Sequence, residues 1–152
     1  MLEMIQTVVQ FMSEGIKVKI ITLICIQFLI YCLFLRAFHD GDQLPAKVIP
    51  SKQSCFVSHN GLEVFKSHFD YLSGSGFNWV ASSNGHTPEG AVIAGVTVHG
   101  DELAIGRAHH EGSVTPGKIN RNHGCLYFPF GGAEQSTLYY EALVCEQKCE
   151  LI

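Results

Sequence analysis

Charged residues are scarce in this sequence. Asp, Glu, Lys and Arg make up 16% of its 152 residues, and the formal net charge is −4. A nucleic-acid-binding surface needs clustered lysines and arginines, so this composition argues against nucleic acid as a partner. The chain also lacks a GxSxG nucleophile elbow, a catalytic Cys-His signature and a glycine-rich phosphate loop. These absences favour a non-enzymatic protein that needs no cofactor.

Metal-ligand spacing is also missing. Six cysteines and eight histidines occur, but none of them forms a CxxC or HExxH motif. The adjacent histidines at positions 109–110 would point to opposite faces of a strand, so no metal site is expected. Cys55 and Cys125 are predicted to be reduced thiols that pack like small apolar residues. A disulfide between Cys145 and Cys149 is the alternative for that pair if the chain is secreted.

One long apolar run lies near the N-terminus, from Ile20 to Leu35. It is shorter than the roughly 20 residues that span a bilayer, and basic residues flank it. Three interpretations stay open: a membrane anchor, a signal peptide without an evident cleavage site, and a strand over residues 32–37. Residues 1–31 are expected to form an apolar helix. They would be either a membrane anchor or sequence that replaces a normal half-repeat in a truncated gene model.

The chain repeats itself at a shift of 71 residues. The identical pairs are Arg36 and Arg107, Ala37 and Ala108, His39 and His110, Gly41 and Gly112, Pro45 and Pro116, Lys47 and Lys118, Gly61 and Gly132, Glu63 and Glu134, and Leu72 and Leu143. The second copy also has an upstream half that contains Trp79, whereas the first copy has no matching half. The expected organisation is a partial repeat over residues 32–73, a complete repeat over 77–144 and a tail over 145–152.

Short runs of β-branched and aromatic residues alternate with glycine-containing turns through both copies. Strands are predicted over residues 78–81, 91–94, 103–107, 125–128 and 139–143. Regular short strands of this kind indicate an all-β fold, built as an antiparallel sandwich or barrel-like unit. Because one copy is too small to bury a good core alone, the two pseudo-symmetric copies are expected to pack together.

The order of motifs in the second copy resembles the DM9 repeat. The segments that carry the resemblance are Leu103–Gly112, Thr115–Ile119, His123–Glu134 and Tyr140–Leu143, with Phe77–Trp79 and Gly90–Val92 as the upstream half. Residues 33–48, 55–58 and 69–72 resemble the later two-thirds of a preceding repeat. The resemblance implies a tandem pair of DM9 repeats in one all-β unit. Characterised relatives include mannose-recognising lectins, and others are tied to immune responses in insects and molluscs.

The resemblance also implies where a sugar would bind. In lectin-like members, the lysine of a Pro-Gly-Lys motif and an acidic residue after a glycine turn contact sugar hydroxyls. The lysines correspond to Lys118 and Lys47. Thr97 stands at the acidic position of the second copy, and Asp101 follows four residues later. The expected ligand-binding residues are therefore Lys118, Lys47, Thr97 and Asp101.

Other repeated residues are expected to stabilise the repeats rather than to bind a ligand. This repeat-structural set is Arg36, Arg107, His39, His110, Glu63, Glu134, Glu141 and Trp79. Two repeated carboxylates, such as Glu134 and Glu141, could suggest a glycosidase, but no further group with general-acid character accompanies them. Trp79, Tyr127, Phe128 and Phe130 are expected to pack in the core rather than to stack on a sugar.

Two non-enzymatic functions follow. The first is lectin-like recognition of mannose-type glycans in innate immunity, where a homodimer would add avidity. The alternative is a structural or protein-interaction module without sugar affinity, tethered to a membrane through Ile20–Leu35. The expected location is cytoplasmic or vesicle-associated, with a membrane-anchored or secreted protein as the alternative.

Overall fold

Strands dominate the structure, as the alternating pattern predicts. The computed structural model describes residues 10–12, 34–49, 54–73 and 76–146, and these residues contain no helix. The all-β fold class is therefore confirmed. The described strands are β1 (Gln10–Met12), β2 (Phe34–His39), β3 (Asp42–Ile49), β4 (Ser54–His59), β5 (Leu62–Lys66), β6 (Asp70–Ser73), β7 (Phe77–Ser83), β8 (Ile93–Val96), β9 (Glu102–His110), β10 (Ser113–Asn120), β11 (Cys125–Phe130), β12 (Ala133–Thr137) and β13 (Tyr139–Cys145).

Hydrogen bonds join the strands in the order β1-β6-β2-β3-β4-β5-β12-β11-β10-β9-β13-β7. The short strand β8 pairs with both β3 and β9, so eight strands close into an antiparallel barrel. Gly95 permits this closure, because a Cβ at that position would lie 2.0 Å from the carbonyl oxygen of Gln43. Strands β2, β6 and β1 extend from β3, and strands β13 and β7 extend from β9.

The two copies are related by pseudo-twofold symmetry around the contact between β5 and β12. Strands β2 to β6 pair in the same way as strands β9 to β13. At the centre, the backbone N–H of Glu63 donates to the carbonyl of Gly132 at 3.1 Å, and that of Glu134 donates to Gly61 at 2.9 Å. These reciprocal bonds join the copies into one unit, as their small size predicts.

Four two-residue hairpins connect strands within the copies. Their central residues are Asp40-Gly41, Asn60-Gly61, Glu111-Gly112 and Gly131-Gly132, and all eight residues have positive φ. Turns with two positive φ angles match the twist of the strands that they join. The hairpins therefore fix the register of both copies and place Asp40 and Asn60 at the same end of adjacent strand pairs.

Apolar side chains form clusters on the inner faces of the sheet. In the first copy, Leu35, Leu44 and Val57 are at most 2% exposed. In the second copy, Leu126 and Phe128 belong to the corresponding cluster and are equally buried. Burial of large apolar side chains is the main stabilising contribution in a small domain of this kind.

The cysteines divide into two groups. Cys55 and Cys125 are buried and free, which confirms the prediction that they act as small core residues. Burial raises the pKa of the Cys55 thiol to about 12. Cys145 is disulfide-bonded, and its partner lies outside the described residues.

The N-terminal prediction needs correction. Gln10–Met12 is a strand that pairs with β6, so the predicted helix is wrong at these residues. This strand, β1, holds the same place beside β6 that β7 holds beside β13. Part of the missing half of the first copy is therefore replaced by a strand, although the two sequences do not match.

The apolar run from Ile20 to Leu35 lies outside the described residues except at its end. Strand β2 begins at Phe34, so the last part of the run belongs to the first copy. The rest of the predicted segment 1–31, apart from β1, is not described. Within the described ranges, no helix has the length and apolar character needed to cross a bilayer.

Candidate functional site

Lys118 is a buried cation that links the two copies. Its Nζ donates to the carbonyl oxygen of Ser58 on β4 at 2.7 Å and lies 3.1 Å from Glu134 Oε2 on β12. The side chain of Lys118 is only 10% exposed. Glu134 is fixed in turn by the backbone N–H of Gly61, which donates to Oε1 at 3.3 Å. A charge that is buried to this degree needs such partners.

Lys47 makes the same contacts in the opposite direction. Its Nζ donates to the carbonyl oxygen of Pro129 on β11 at 2.6 Å and lies 3.6 Å from Glu63 Oε1 on β5. The backbone N–H of Gly132 donates to Glu63 Oε2 at 3.2 Å. Each lysine thus reaches a carbonyl in the other copy and a carboxylate in its own copy. Both lysines help to hold the copies together.

A polar cleft of about 540 Å³ opens beside Lys118, between the two copies. The first copy contributes turn residues near Asp40 and Asn60, and the second contributes β10, β11, β12 and the loop between β8 and β9. Three of the four predicted ligand-binding residues line this cleft, namely Thr97, Asp101 and Lys118. The fourth, Lys47, does not line it.

The loop between β8 and β9 presents Thr97 and Asp101 to the cleft. The Thr97 N–H donates to the carbonyl of Asp101 at 2.9 Å, and the Asp101 N–H donates to Thr97 Oγ1 at 3.1 Å. Asn122 Nδ2 donates to Asp101 Oδ1 at 2.6 Å. The threonine hydroxyl therefore shapes the loop, while the Asp101 carboxylate lies in the cleft and adds one negative charge to it.

Tyr127 forms another wall of the cleft. Its hydroxyl shares a 2.9 Å hydrogen bond with His123 Nδ1, and its ring lies 5.6 Å from Lys118 Nζ. Burial raises the pKa of Tyr127 to about 12, and a hydrogen bond with Cys125 adds to this shift. At neutral pH the hydroxyl is protonated, so it can donate one hydrogen bond and can also accept one.

The first copy lines the opposite side of the cleft with acidic and imidazole groups. His59 Nε2 lies 3.8 Å from Asp40 Oδ2, and His59 Nδ1 lies 3.6 Å from Asp42 Oδ2. The backbone N–H of Val98 donates to Asp42 Oδ1 at 2.8 Å. With Asp101 and Glu134, the cleft contains four carboxylates. It therefore suits neutral or cationic ligands better than anions.

The corresponding surroundings of Lys47 are more apolar. At the repeat shift of 71, Phe56 replaces Tyr127 and Phe130 replaces His59. Both phenylalanine rings lie 5.8 Å from Lys47 Nζ. The two lysines thus keep the same structural contacts, but their neighbours differ. A polar site is built only beside Lys118, among the residues that the structure describes.

The repeated arginines lie on β2 and β9, and neither lines the cleft. Arg107 Nε donates to Glu141 Oε1 at 2.9 Å, and Arg36 Nε donates to Asp70 Oδ2 at 3.1 Å. The hydrogen bond from Arg107 lowers the pKa of Glu141 below its ordinary value of 4.5. The guanidinium of Arg107 also lies over the Trp79 ring, 4.2 Å from its centroid. Glu141 and Glu134 consequently do not share one site.

The repeated histidines have different ring neighbours. His110 packs edge-on against Phe128 and Phe130, with centroid distances of 5.2 and 4.7 Å. His39 packs edge-on against His59 at 5.0 Å. Sequence comparison alone singled out His39 and His110 but not His59. The sequence does contain a signal for His59. Like His39, it directly precedes a two-residue turn, and the matching residue of the second copy is Phe130.

Comparison with known proteins supports the family resemblance. The family model of the DM9 repeat matches residues 30–137. No curated protein matches the chain. Among solved structures, the nematode sperm cell motility protein MFP2B is similar, with a TM-score of 0.55 at 11% identity. The match covers 78% of this chain and 38% of that protein, and it supports the fold alone. Since the family model spans well over half of the sequence, this chain belongs to the DM9-repeat family.

Proposed function

We propose that this chain is a non-enzymatic, lectin-like protein that binds mannose-type glycans in the cleft beside Lys118. The observation that carries the proposal is the convergence of Thr97, Asp101 and Lys118 on one polar cleft of about 540 Å³. These residues were expected from the family resemblance to contact a sugar. The DM9 family is not known as an enzyme family, and the proposal includes no catalytic step.

The hydrogen-bonding groups of the cleft suit a neutral hexose. A sugar ring presents several hydroxyls, and each can both donate and accept. Asp101 supplies carboxylate oxygens that accept, while Tyr127 supplies a hydroxyl and an aromatic face. Lys118 has three N–H groups, of which two are directed to Ser58 and Glu134. The third would donate to a sugar hydroxyl.

The open shape of the cleft predicts weak binding by a single chain. A shallow polar site replaces water contacts with protein contacts of similar strength, so the net gain is small. A homodimer or a multivalent glycan surface would raise the apparent affinity through avidity. Recognition of clustered glycans on a cell surface fits this arrangement better than capture of a free monosaccharide.

The test is retention on mannose-agarose, followed by titration with a mannose-rich glycan. We expect the wild type to be retained and Asp101→Asn and Lys118→Met to lose at least about tenfold in affinity, since charged hydrogen-bond partners contribute about 1.5–3 kcal/mol. Asp101→Asn should keep the wild-type circular dichroism spectrum. Lys118→Met also loses a buried ion pair, so it is assayed at a temperature at which its spectrum matches that of the wild type.

Lys47→Met is the matched control, because it removes the same inter-repeat contacts on the apolar side. It should bind sugar like the wild type. Equal losses in Lys47→Met and Lys118→Met would place the effect in the scaffold and contradict the site. Failure of the wild type to bind a glycan array, as monomer or oligomer, would refute sugar recognition. That result would favour the protein-interaction alternative.

A further inference from the structure

Three metal-ligating side chains converge at the edge of the cleft, on the first copy. They are His39 at the end of β2, Asp40 in the turn that follows, and His59 at the end of β4. Their ligand atoms all lie within 4.8 Å of one another. Asp40 Oδ2 is 3.5 Å from His39 Nε2 and 3.8 Å from His59 Nε2. An ion bound at about 2.0–2.1 Å to each ligand requires separations near 3.4 Å, so only small side-chain rotations are needed.

The backbone brings these groups together. His39 and His59 each precede a two-residue hairpin turn, and β2 and β4 both pair with β3. Asp40 has a φ of 48°, as the first residue of its turn. Its carboxylate is 70% exposed, whereas the side chains of His39 and His59 are 23% and 14% exposed. The imidazoles are therefore held in place, while the carboxylate is free to adjust and leaves an entry path for an ion.

Asp42 provides the outer support that metal-binding histidines require. Its Oδ2 lies 3.6 Å from His59 Nδ1, on the side of the ring away from Asp40. The N–H of Val98 fixes the other oxygen of Asp42 at 2.8 Å. When Nε2 of His59 binds an ion, Nδ1 carries the proton, and a carboxylate at this place needs to move only a few tenths of an ångström to accept it. This carboxylate–imidazole–metal arrangement is common in zinc sites.

Lys66 is the cation that lies against this cluster. Its Nζ is 3.4 Å from His39 Nδ1. When Nε2 of His39 binds an ion, Nδ1 carries the proton, so the ammonium of Lys66 must turn away. Its long side chain permits this movement, but the positive charge weakens the binding of a second cation. Lys66 therefore lowers the affinity of the site without blocking it.

The second copy supplies an internal comparison. His110 and Glu111 match His39 and Asp40, and their charged atoms lie 3.9 Å apart. Phe130 stands where the first copy has His59, and its ring packs on His110. The second copy thus has two of the three ligands, and a phenylalanine ring stands in place of the third. The complete set occurs only in the first copy, within the described part of the chain.

We propose that His39 Nε2, His59 Nε2 and Asp40 Oδ2 form a binding site for a divalent transition-metal ion of the Zn²⁺ class. Two imidazoles and one carboxylate suit Zn²⁺, and three protein ligands leave a fourth position for water or for an oxygen of a ligand. Asp40 and His59 also line the polar cleft, so the proposed site borders the same cleft as Lys118. The proposal does not depend on sugar binding, because the ion is held by protein groups alone.

The spacing of the ligands explains why sequence analysis predicted no metal site. His39 and His59 are separated by 19 intervening residues and belong to different hairpins. Local motifs such as HExxH place both histidines on one element. In this chain the sheet brings them together instead, and the repeat comparison marked only His39.

The test is a calorimetric titration of the tag-free, chelator-treated full chain with Zn²⁺ alone. Co²⁺ serves as a spectroscopic probe, since tetrahedral coordination gives strong visible absorption. We expect the wild type to bind one ion. His59→Phe, which introduces the residue of the second repeat, should weaken Zn²⁺ binding at least about tenfold and remove the Co²⁺ bands. Asp42→Asn should weaken Zn²⁺ binding by about 10- to 100-fold, as loss of an outer partner does. Lys66→Gln should tighten it.

The matched control is His110→Ala, which removes the corresponding histidine of the second copy and should leave Zn²⁺ affinity unchanged. Equal affinity of the wild type and His59→Phe would overturn the proposal, as would equal losses in His59→Phe and His110→Ala. Mannose-agarose retention by a metal-free sample separates this result from the glycan proposal, because each of the two measurements can fail alone.

Discussion

At the residue scale, the surroundings of a side chain decide its role more than its identity does. Lys47 and Lys118 occupy equivalent positions and make equivalent contacts with a carbonyl and a carboxylate. Only Lys118 has a tyrosine and a polar cleft beside it, whereas Lys47 lies between two phenylalanines. A motif that occurs twice in the sequence therefore supports one candidate site rather than two.

A residue-scale prediction concerns Cys55, which is fully buried in the first copy. Because burial raises its pKa to about 12, almost no reactive thiolate forms at neutral pH. We expect Cys55 to resist iodoacetamide in the folded protein and to react quickly in strong denaturant. Peptide mass mapping measures the modification. Rapid labelling of native Cys55 would contradict its burial.

At the element scale, the hairpin turns determine how the strands pair. In three of the four hairpins the first central residue is Asp, Asn or Gly, which accept a positive φ at little cost. Glu111 is the exception, with a φ of 47°. A residue with a long side chain is strained in this region by about 1 kcal/mol or more. The hairpin between β9 and β10 is thus the least favourable of the set.

This strain leads to a prediction for Glu111→Asn. The substitution should stabilise the fold by up to about 1 kcal/mol, because asparagine adopts the left-handed region more readily. The measurement is the midpoint of urea unfolding. Asn60→Glu is the converse change and should destabilise the protein by a similar amount. Loss of stability in Glu111→Asn would show that the glutamate makes a compensating interaction.

The same elements show what could be predicted from the sequence. β7, β9, β11 and β13 follow runs of β-branched and aromatic residues, and all four were expected. β10 was not predicted, because Pro116 and Gly117 interrupt its pattern of β-branched residues. In the structure Pro116 pairs with Arg107 on β9, but the ladder to β11 begins only at Lys118. Pro116 lies before that ladder begins, so a proline at this position removes none of its hydrogen bonds.

The short strands β1 and β8 were harder to predict for another reason. β8 was expected over residues 91–94 but covers Ile93–Val96, because its position depends on the close approach of Gly95 to Gln43. β1 has only three residues and pairs with β6 far along the chain. Neither strand has a local pattern long enough to fix its bounds, so tertiary contacts decide them.

At the scale of the whole molecule, the exchanged lysine contacts join the two copies. Lys118 reaches Ser58, and Lys47 reaches Pro129, so each copy completes the hydrogen bonding of the other. The candidate cleft has the same dependence, since Asp42 and His59 come from the first copy while Asp101 and Tyr127 come from the second. The family resemblance predicted Thr97, Asp101 and Lys118. It could not predict groups from the other copy, which only the packing brings together.

A whole-molecule prediction follows for the buried pair of Lys118 and Glu134. Removing one partner leaves an uncompensated charge, so Lys118→Met or Glu134→Gln should each destabilise the protein by about 3–5 kcal/mol. The double variant should cost clearly less than the sum. The same cycle at Lys47 and Glu63 should show weaker coupling, because their charged atoms are 3.6 Å apart rather than 3.1 Å.

Urea unfolding at neutral pH measures all of these variants, and high salt is the control. Salt screens exposed charges strongly but buried pairs much less, so the coupling between Lys118 and Glu134 should persist at high salt. Additive effects of the two substitutions would mean that the charges stabilise the protein independently. The exchanged contacts would then be a consequence of the packing rather than a cause of it.

The reciprocal contact of Glu63 with Gly132 and of Glu134 with Gly61 has the form of an interface between two identical subunits. A protein with a single repeat could make both bonds by pairing with another copy of itself. The present chain therefore has the symmetry of a homodimer whose two subunits lie on one polypeptide. Fusion removes the requirement that both halves stay identical. Phe130 on one side and His59 on the other show this difference, which lets two equivalent faces bind different ligands.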